Sequence, residues 1–309
     1  EDVGKNCKGE RKGIMNSSFL QKNVNIVVIF AVIAASFSPI FTKLTGAPPI
    51  AIGFYRLSIA MPIFAVISFS KYRSALKAVT AAQLLGAALA GVLLAGHFFS
   101  WFTSLRHTSV ASASVLSMTH PIMVLFISVF LLKKRTNAKA IAGVLLAFVG
   151  SIIISGNDYA LSQEALLGDL MAVLSALFLG LYYLAGNKYR KNINASIYVF
   201  LVFFFCWLSF LVCMLATKTP FLGYTKSDYF WIFVMAIVCQ IGAHAVFNWC
   251  LAYTSALYIS TLENLETFIS TAFAALIFAE IPTAVQILGA SIIVVGVIYY
   301  SKNEENRDV

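Results

Sequence analysis

The sequence predicts an all-α integral membrane protein: ten transmembrane helices arranged as two inverted five-helix repeats. Three observations carry that prediction. The 309 residues are 60% hydrophobic and 11% charged, where a soluble domain is about 45–50% apolar and about 25% charged. Ten runs long and apolar enough to span a bilayer follow one another along the chain. The two halves repeat each other at a fixed offset of 146 residues. A soluble fold of this size could not cover so much apolar surface with so few charges, which excludes a cytosolic enzyme, a disordered chain and a nucleic-acid binder.

A bilayer core takes roughly 20 apolar residues per helix. Predominantly apolar spans of about that length lie near 24–43, 50–70, 83–104, 108–132, 138–156, 168–187, 194–216, 229–252, 257–279 and 282–300. The stretch from Tyr229 to Leu262 carries no charge and is too long for one span. Its small polar residues Ala252-Tyr253-Thr254-Ser255 place a turn between the eighth and ninth helices. Residues 1–23 form a polar N-terminal segment, in which Met15 is a candidate biological start. The first repeat is expected at 24–156, the second at 168–301, and a cytoplasmic tail at 302–309. No small-residue cleavage site follows the first span, so no signal peptide is read there.

Lys and Arg collect in cytoplasmic loops. With both termini cytoplasmic, most of the 22 basic residues fall on the inner side, among them Lys71, Arg73, Lys77, Lys133, Lys134, Arg135, Lys188, Arg190 and Lys191. The net charge of +9 is then a topology signal and a contact for anionic lipid headgroups, with no nucleic acid required. Lys43 marks the outer end of helix 1. Arg56, near the outer end of helix 2, is expected to snorkel to the interface, with binding of a substrate anion as the other reading.

The 146-residue shift aligns Gly96 with Gly242, Thr108-Ser109 with Thr254-Ser255, Ser114 with Ser260, Leu116 with Leu262, Gly143 with Gly289, and Gly150 with Gly296. Five helices separate the copies, an odd number, so the second copy is inverted in the membrane. The glycine pairs, seven apart on helices 5 and 10, permit close helix packing, within the chain or in a homodimer.

Two stretches, LRHTSVASASVLSMTHPIMVLFISVFLLKKRTNAKAIAGVLLAFVGSIIIS from Leu105 and LAYTSALYISTLENLETFISTAFAALIFAEIPTAVQILGASIIVVGVIYY from Leu251, each follow a pattern of a small-residue turn, a helix with a central Pro or its replacement, a Glu at the helix end and a Gly-x6-Gly helix. In this pattern the chain resembles the ten-helix EamA branch of the drug/metabolite transporter superfamily, from about residue 24 to 301. Two positions depart from it: Lys134 stands where the second copy has Glu280, and Thr267 where the first has Pro121. The resemblance implies secondary transport, in the export direction, of small metabolites such as amino acids. Transport would run by alternating access through a central cavity, in a bacterial or archaeal plasma membrane. Efflux of nucleotide sugars or drugs is the alternative within transporters.

The residues describe a polar interior on their own account. His97, Ser100, Trp101 and Ser104 share one face of helix 3, and Gln240, His244 and Asn248 one face of helix 8. Helix 9 carries Ser260, Glu263, Asn264, Glu266, Thr267, Ser270 and Thr271. Lipid-facing helices avoid such groups, because unpaired polar atoms in hydrocarbon cost several kcal/mol. The structural alternative is interhelical hydrogen bonding, which is the expected role of the Ser and Thr residues.

A carboxylate within a span costs roughly 3 kcal/mol or more unless paired or hydrated, so it is a functional candidate by default. Glu263 and Glu266, one turn apart, suit a proton carrier; an ion pair with His120 or Arg106 is the structural alternative. His120 precedes Pro121 in mid-span, and the repeat offset pairs it with Glu266, as a proton relay or substrate clamp. The candidate substrate-binding or coupling residues are therefore Glu266, Glu263, His120, Trp101, His97, His244, Asn248 and Asn264.

No catalytic, metal or cofactor site is expected. The five cysteines show no C-x-x-C spacing, and the four histidines are too dispersed for a metal cluster. A membrane-embedded enzyme or a channel is the alternative from another class. A channel would carry a filter or charge ring, a primary pump a P-loop, and neither motif is present. The expected partners are a small-molecule substrate, membrane lipid and protons.

Overall fold

A computed structural model describes residues 23–120, 122–123, 127, 138–189, 193–250 and 256–305. Described residues form helices and short connections, with no strand among them. In chain order the helices are α1 (Val24–Ala35), α2 (Ser38–Leu44), α3 (Pro49–Lys71), α4 (Arg73–Lys77), α5 (Ala81–His107), α6 (Val110–Ser117), α7 (Ala138–Leu161), α8 (Gln163–Tyr189) and α9 (Ala195–Thr217). They continue with α10 (Lys226–Met235), a π-helical segment (Ala236–Ala245), α11 (Val246–Cys250), α12 (Ala256–Phe278) and α13 (Ala284–Glu305). Each falls on a predicted span, except α4, a one-turn helix in the basic loop. The turn expected at 252–255, most of the fourth span beyond His120, including Pro121, and the basic loop at Lys133, Lys134 and Arg135 lie outside the described residues.

Six helical stretches among the described residues are long and apolar enough to cross a membrane, two of them, Val24–Leu44 and Lys226–Cys250, built from consecutive elements, with shorter apolar helices beside them. Their ends are set by local chemistry. Thr80 and Gln83 form a capping box on α5, Thr225 and Asp228 another on α10, and Asn194 accepts from the Ser196 backbone at the start of α9. Pro49 opens α3 at a position where its missing N–H costs nothing. The first span is broken at Ser36–Phe37, just before Pro39 at the start of α2. Phe30, Leu85, Leu276 and Ile281 lie exposed. In water such a surface would aggregate; in lipid it is the solvated face.

The packing repeats with the sequence. α5 lies along α8, and the repeat-equivalent first span (α1–α2) lies along the span from Lys226 to Cys250. α3 pairs with α9, α6 with α12 and α7 with α13, each helix meeting its own equivalent. This is the contact pattern of two interlocked copies related by a two-fold axis.

The glycine pairs act at the α7–α13 crossing, within the chain. A Cβ on Gly296 would stand 2.6 Å from the Gly143 carbonyl and 2.7 Å from the Ala147 amide; one on Gly150 would stand 2.7 Å from the Gly289 carbonyl. Backbone atoms cannot step aside as a side chain can. Gly296→Leu should therefore cost about 3 kcal/mol or more, seen as a lower melting temperature in detergent, whereas Gly156→Leu, at a site open to space, should leave it unchanged.

Candidate functional site

A small cavity of about 30 Å³ lies between the two halves, lined among others by His97, Trp101, Tyr183, His244, Glu263 and Glu266. Five of the eight residues singled out from the sequence therefore meet at one place. α5 supplies His97 and Trp101, the π-helical segment His244, and α12 the two carboxylates. π-Helical turns concentrate at functional sites because the widened turn re-aims its side chains.

Glu263 is held from two directions. Tyr183 donates to its Oε1 at 2.9 Å. Its Oε2 lies 3.6 Å from His120 Nε2, too far for a hydrogen bond, and both atoms are buried without a hydrogen-bond partner. The His120 ring also packs on Tyr183, centroids 5.5 Å apart. The carboxylate nearest His120 is thus Glu263 rather than the repeat-related Glu266, which opens into the cavity beside it. The offset relates positions along the chain, and the side chains of one copy reach in directions that it does not encode.

The remaining candidates divide by their partners. The Ser175 hydroxyl lies 2.8 Å from His97 Nδ1 and 3.1 Å from the Ser117 hydroxyl, a polar chain joining α5, α8 and α6. Asn248 accepts from Tyr182 at 2.8 Å and donates to the His244 carbonyl at 2.8 Å. Both ends of its amide are engaged, so it fastens α8 to the 226–250 span. Asn264 lies on α12, and its side chain falls outside the described ones. Gln240 is buried with its amide unpaired. A larger space of about 360 Å³, lined by Val115, Ile154, Phe268 and Thr271 among others, has neither carboxylate nor imidazole on its walls.

Arg56 contradicts the snorkelling expectation. It is 0% exposed, and Nε, Nη1 and Nη2 have no hydrogen-bond partner among the described residues. It stands seven residues into α3, about 10 Å along the axis, and faces the interior.

Tyr183, Ser175 and Asp169 are not among the residues that the sequence singled out. A signal exists for the first two: Ser175, Leu179 and Tyr183 recur at i, i+4 and i+8, which puts one face of α8 on the cavity. Asp169 is a buried acid within a span that accepts from the Thr108 hydroxyl at 3.0 Å. The cost of a carboxylate in hydrocarbon marks it just as it marks Glu263.

One end of the bundle is laced shut. Lys43 Nζ meets Glu280 Oε1 at 2.5 Å, and Glu280 Oε2 accepts from the Val110 amide at 3.0 Å. Asp228 accepts from the Gly46 amide at 2.6 Å and the Thr45 hydroxyl at 3.1 Å. Arg106 donates to the carbonyls of Ala47 and, at 3.3 Å, Thr45. Arg106 thus clamps the 45–47 turn and is not the partner of Glu263.

Comparison with known proteins agrees with this architecture. A solved crystal structure superposes with a TM-score of 0.63 over 93% of this chain and 99% of its own, at 18% identity, a likeness of fold. An uncharacterized transporter of Archaeoglobus fulgidus is 26% identical over 204 residues, covering 64% of this chain and 62% of its own length. A second from the same organism is 25% identical over 271 residues, covering 85% and 91%. The profile of the EamA-like transporter family matches twice, at residues 22–156 and 166–302, one match to each half. With both halves carrying the family's unit, this multi-pass membrane protein belongs to the EamA-like transporter family.

Proposed function

We propose that the protein is a secondary active transporter that exports small metabolites such as amino acids by alternating access, with protons as the coupling ion. One juxtaposition carries the reading: Glu263 and His120, both buried, face each other across 3.6 Å with atoms that have no hydrogen-bond partner among the described residues. A proton placed there, with the two side chains closing to hydrogen-bond distance, turns two unsatisfied atoms into one charge-assisted hydrogen bond. Such a site takes up and releases a proton as the cavity opens to one side and then the other. At about 30 Å³ the cavity is far smaller than the roughly 300 Å³ and upward of solute sites. Substrate therefore enters only when the halves move apart.

The distribution of basic residues supports an outer position for the Lys43–Glu280 end, which makes the closed gate the outer one in this reading. Reporter fusions after Lys134 and Lys191 should then read cytoplasm, and fusions after Asn157 and Thr219 the outside. An outside signal at Lys191 would remove the inverted-repeat orientation.

Inside-out vesicles carrying the protein test the function. Labelled amino acids, nucleotide sugars and cationic drugs are offered with the lumen made acidic. Accumulation of an amino acid that collapses with a protonophore is the expected result. Accumulation indifferent to the protonophore contradicts proton coupling.

A further inference from the structure

The proton site leaves one buried charge without a role. Arg56 is fully buried, and none of its guanidinium nitrogens has a hydrogen-bond partner among the described residues. A guanidinium carries five N–H donors. Burying such a charge unpaired costs several kcal/mol. The contacts it does have are aromatic faces: its Cζ lies 4.6 Å from the Phe98 ring centroid and 5.8 Å from that of Phe102. Cation–π contacts return less than the desolvation takes. Among the described residues no carboxylate forms an ion pair with it.

Where this cation sits decides what it can do. The Phe98 ring that covers it is also 5.1 Å from the His244 ring, and His244 lines the cavity. A single aromatic layer therefore separates an unpaired guanidinium from the cavity. α3, which bears Arg56, packs on both α5 and the π-helical segment, the two elements that supply His97, Trp101 and His244. A rotation of the Phe98 ring is therefore all that would be needed to bring the guanidinium to the cavity wall.

We infer that Arg56 is the anion-recognition residue of the cavity, binding the carboxylate of a small apolar solute in a bidentate pair. The inference rests on the transport reading of this cavity and narrows its substrate to carboxylate-bearing solutes. The planar fork of a guanidinium matches a carboxylate, and one positive charge balances one negative charge. A phosphate dianion would leave an excess charge in a dry site. Trp101, Leu179 and Phe247, on the same cavity, suit an apolar body. An unpaired cation in the solute-free state also supplies a differential: the pair exists with solute bound and not without it, which is what couples binding to closure.

The experiment measures melting of the purified full-length protein in detergent with matched probes: phenylacetate and 4-methylpentanoate against phenylacetamide and 4-methylpentanamide. The acids at millimolar concentration should raise the melting temperature and the amides should not. Arg56→Met should lose the acid-specific shift, and without ligand it should melt above the parent, because an unpaired buried charge has been replaced by a matched apolar chain. Arg56→Lys, which keeps the charge but not the fork, should retain the shift with about tenfold weaker apparent affinity. Equal shifts by acid and amide, no shift by either acid, or an acid shift that survives in Arg56→Met would overturn the inference. If Arg56→Met does not fold, parental affinity in Arg56→Lys overturns it instead. Binding in micelles needs no gradient. A protein that binds the acids but accumulates nothing contradicts the proposed transport and leaves the anion site standing, whereas gradient-driven transport of amines without acid binding sinks the anion site alone.

Discussion

Glu263→Gln should abolish gradient-driven accumulation while leaving the bundle folded and solute exchange running. The amide has the shape of the acid, can still accept from the Tyr183 hydroxyl that now donates at 2.9 Å, and can donate toward His120. What it loses is titration. Net export returns an empty carrier with its proton exchanged, so a carrier that cannot exchange the proton stalls on that step. Exchange of internal for external solute needs no empty return and should stay within about twofold of the parent, since hydrogen bonding and volume are preserved. Accumulation at the parental level would remove Glu263 from the role, and Glu266, the neighbouring carboxylate on the cavity, would become the candidate.

His120→Ala carries the next largest effect. The imidazole is 1% exposed and its Nε2 faces Glu263 Oε2. Removing it leaves that oxygen with no group to share a proton and opens a void against Tyr183. Accumulation should fall about a hundredfold, the lower end of the range for a positioned proton-transfer group. The decisive comparison is the double variant. If His120 and Glu263 act as one unit, Glu263→Gln with His120→Ala should be scarcely worse than Glu263→Gln alone. Additive losses would separate the two residues and assign His120 to packing.

The spans were legible because hydrocarbon imposes one rule on every helix that crosses it: backbone groups pair within the helix and charged side chains stay out of its middle. The same rule made Glu263, Glu266 and His120 visible as exceptions. It does not report partners. Arg56 read as an interfacial residue because it stands near a helix end, yet its depth is fixed by Phe98 and Phe102, which come from α5. Gln240, His244 and Asn248 were expected to share a face at α-helical spacing. The π-helical segment rewinds that face, so His244 reaches the cavity, Gln240 is buried unpaired and Asn248 is taken up by Tyr182. A π turn depends on what packs against the helix, and the local sequence carries no sign of it. The repeat is visible again in the interlocked packing of equivalent helices, but the offset set His120 opposite Glu266 where the side chains bring it to Glu263.

Coupling through the Glu263–His120 site requires that a proton move with each solute molecule. Proteoliposomes holding the full-length protein and a pH-sensitive dye measure this directly, with a solute gradient imposed and no initial pH difference. An outward solute gradient should drive protons inward and acidify the lumen, at a rate proportional to solute flux and lost in Glu263→Gln. Solute flux at full rate with a flat dye signal would show that the carrier runs without protons and would contradict the proposed mechanism at its centre.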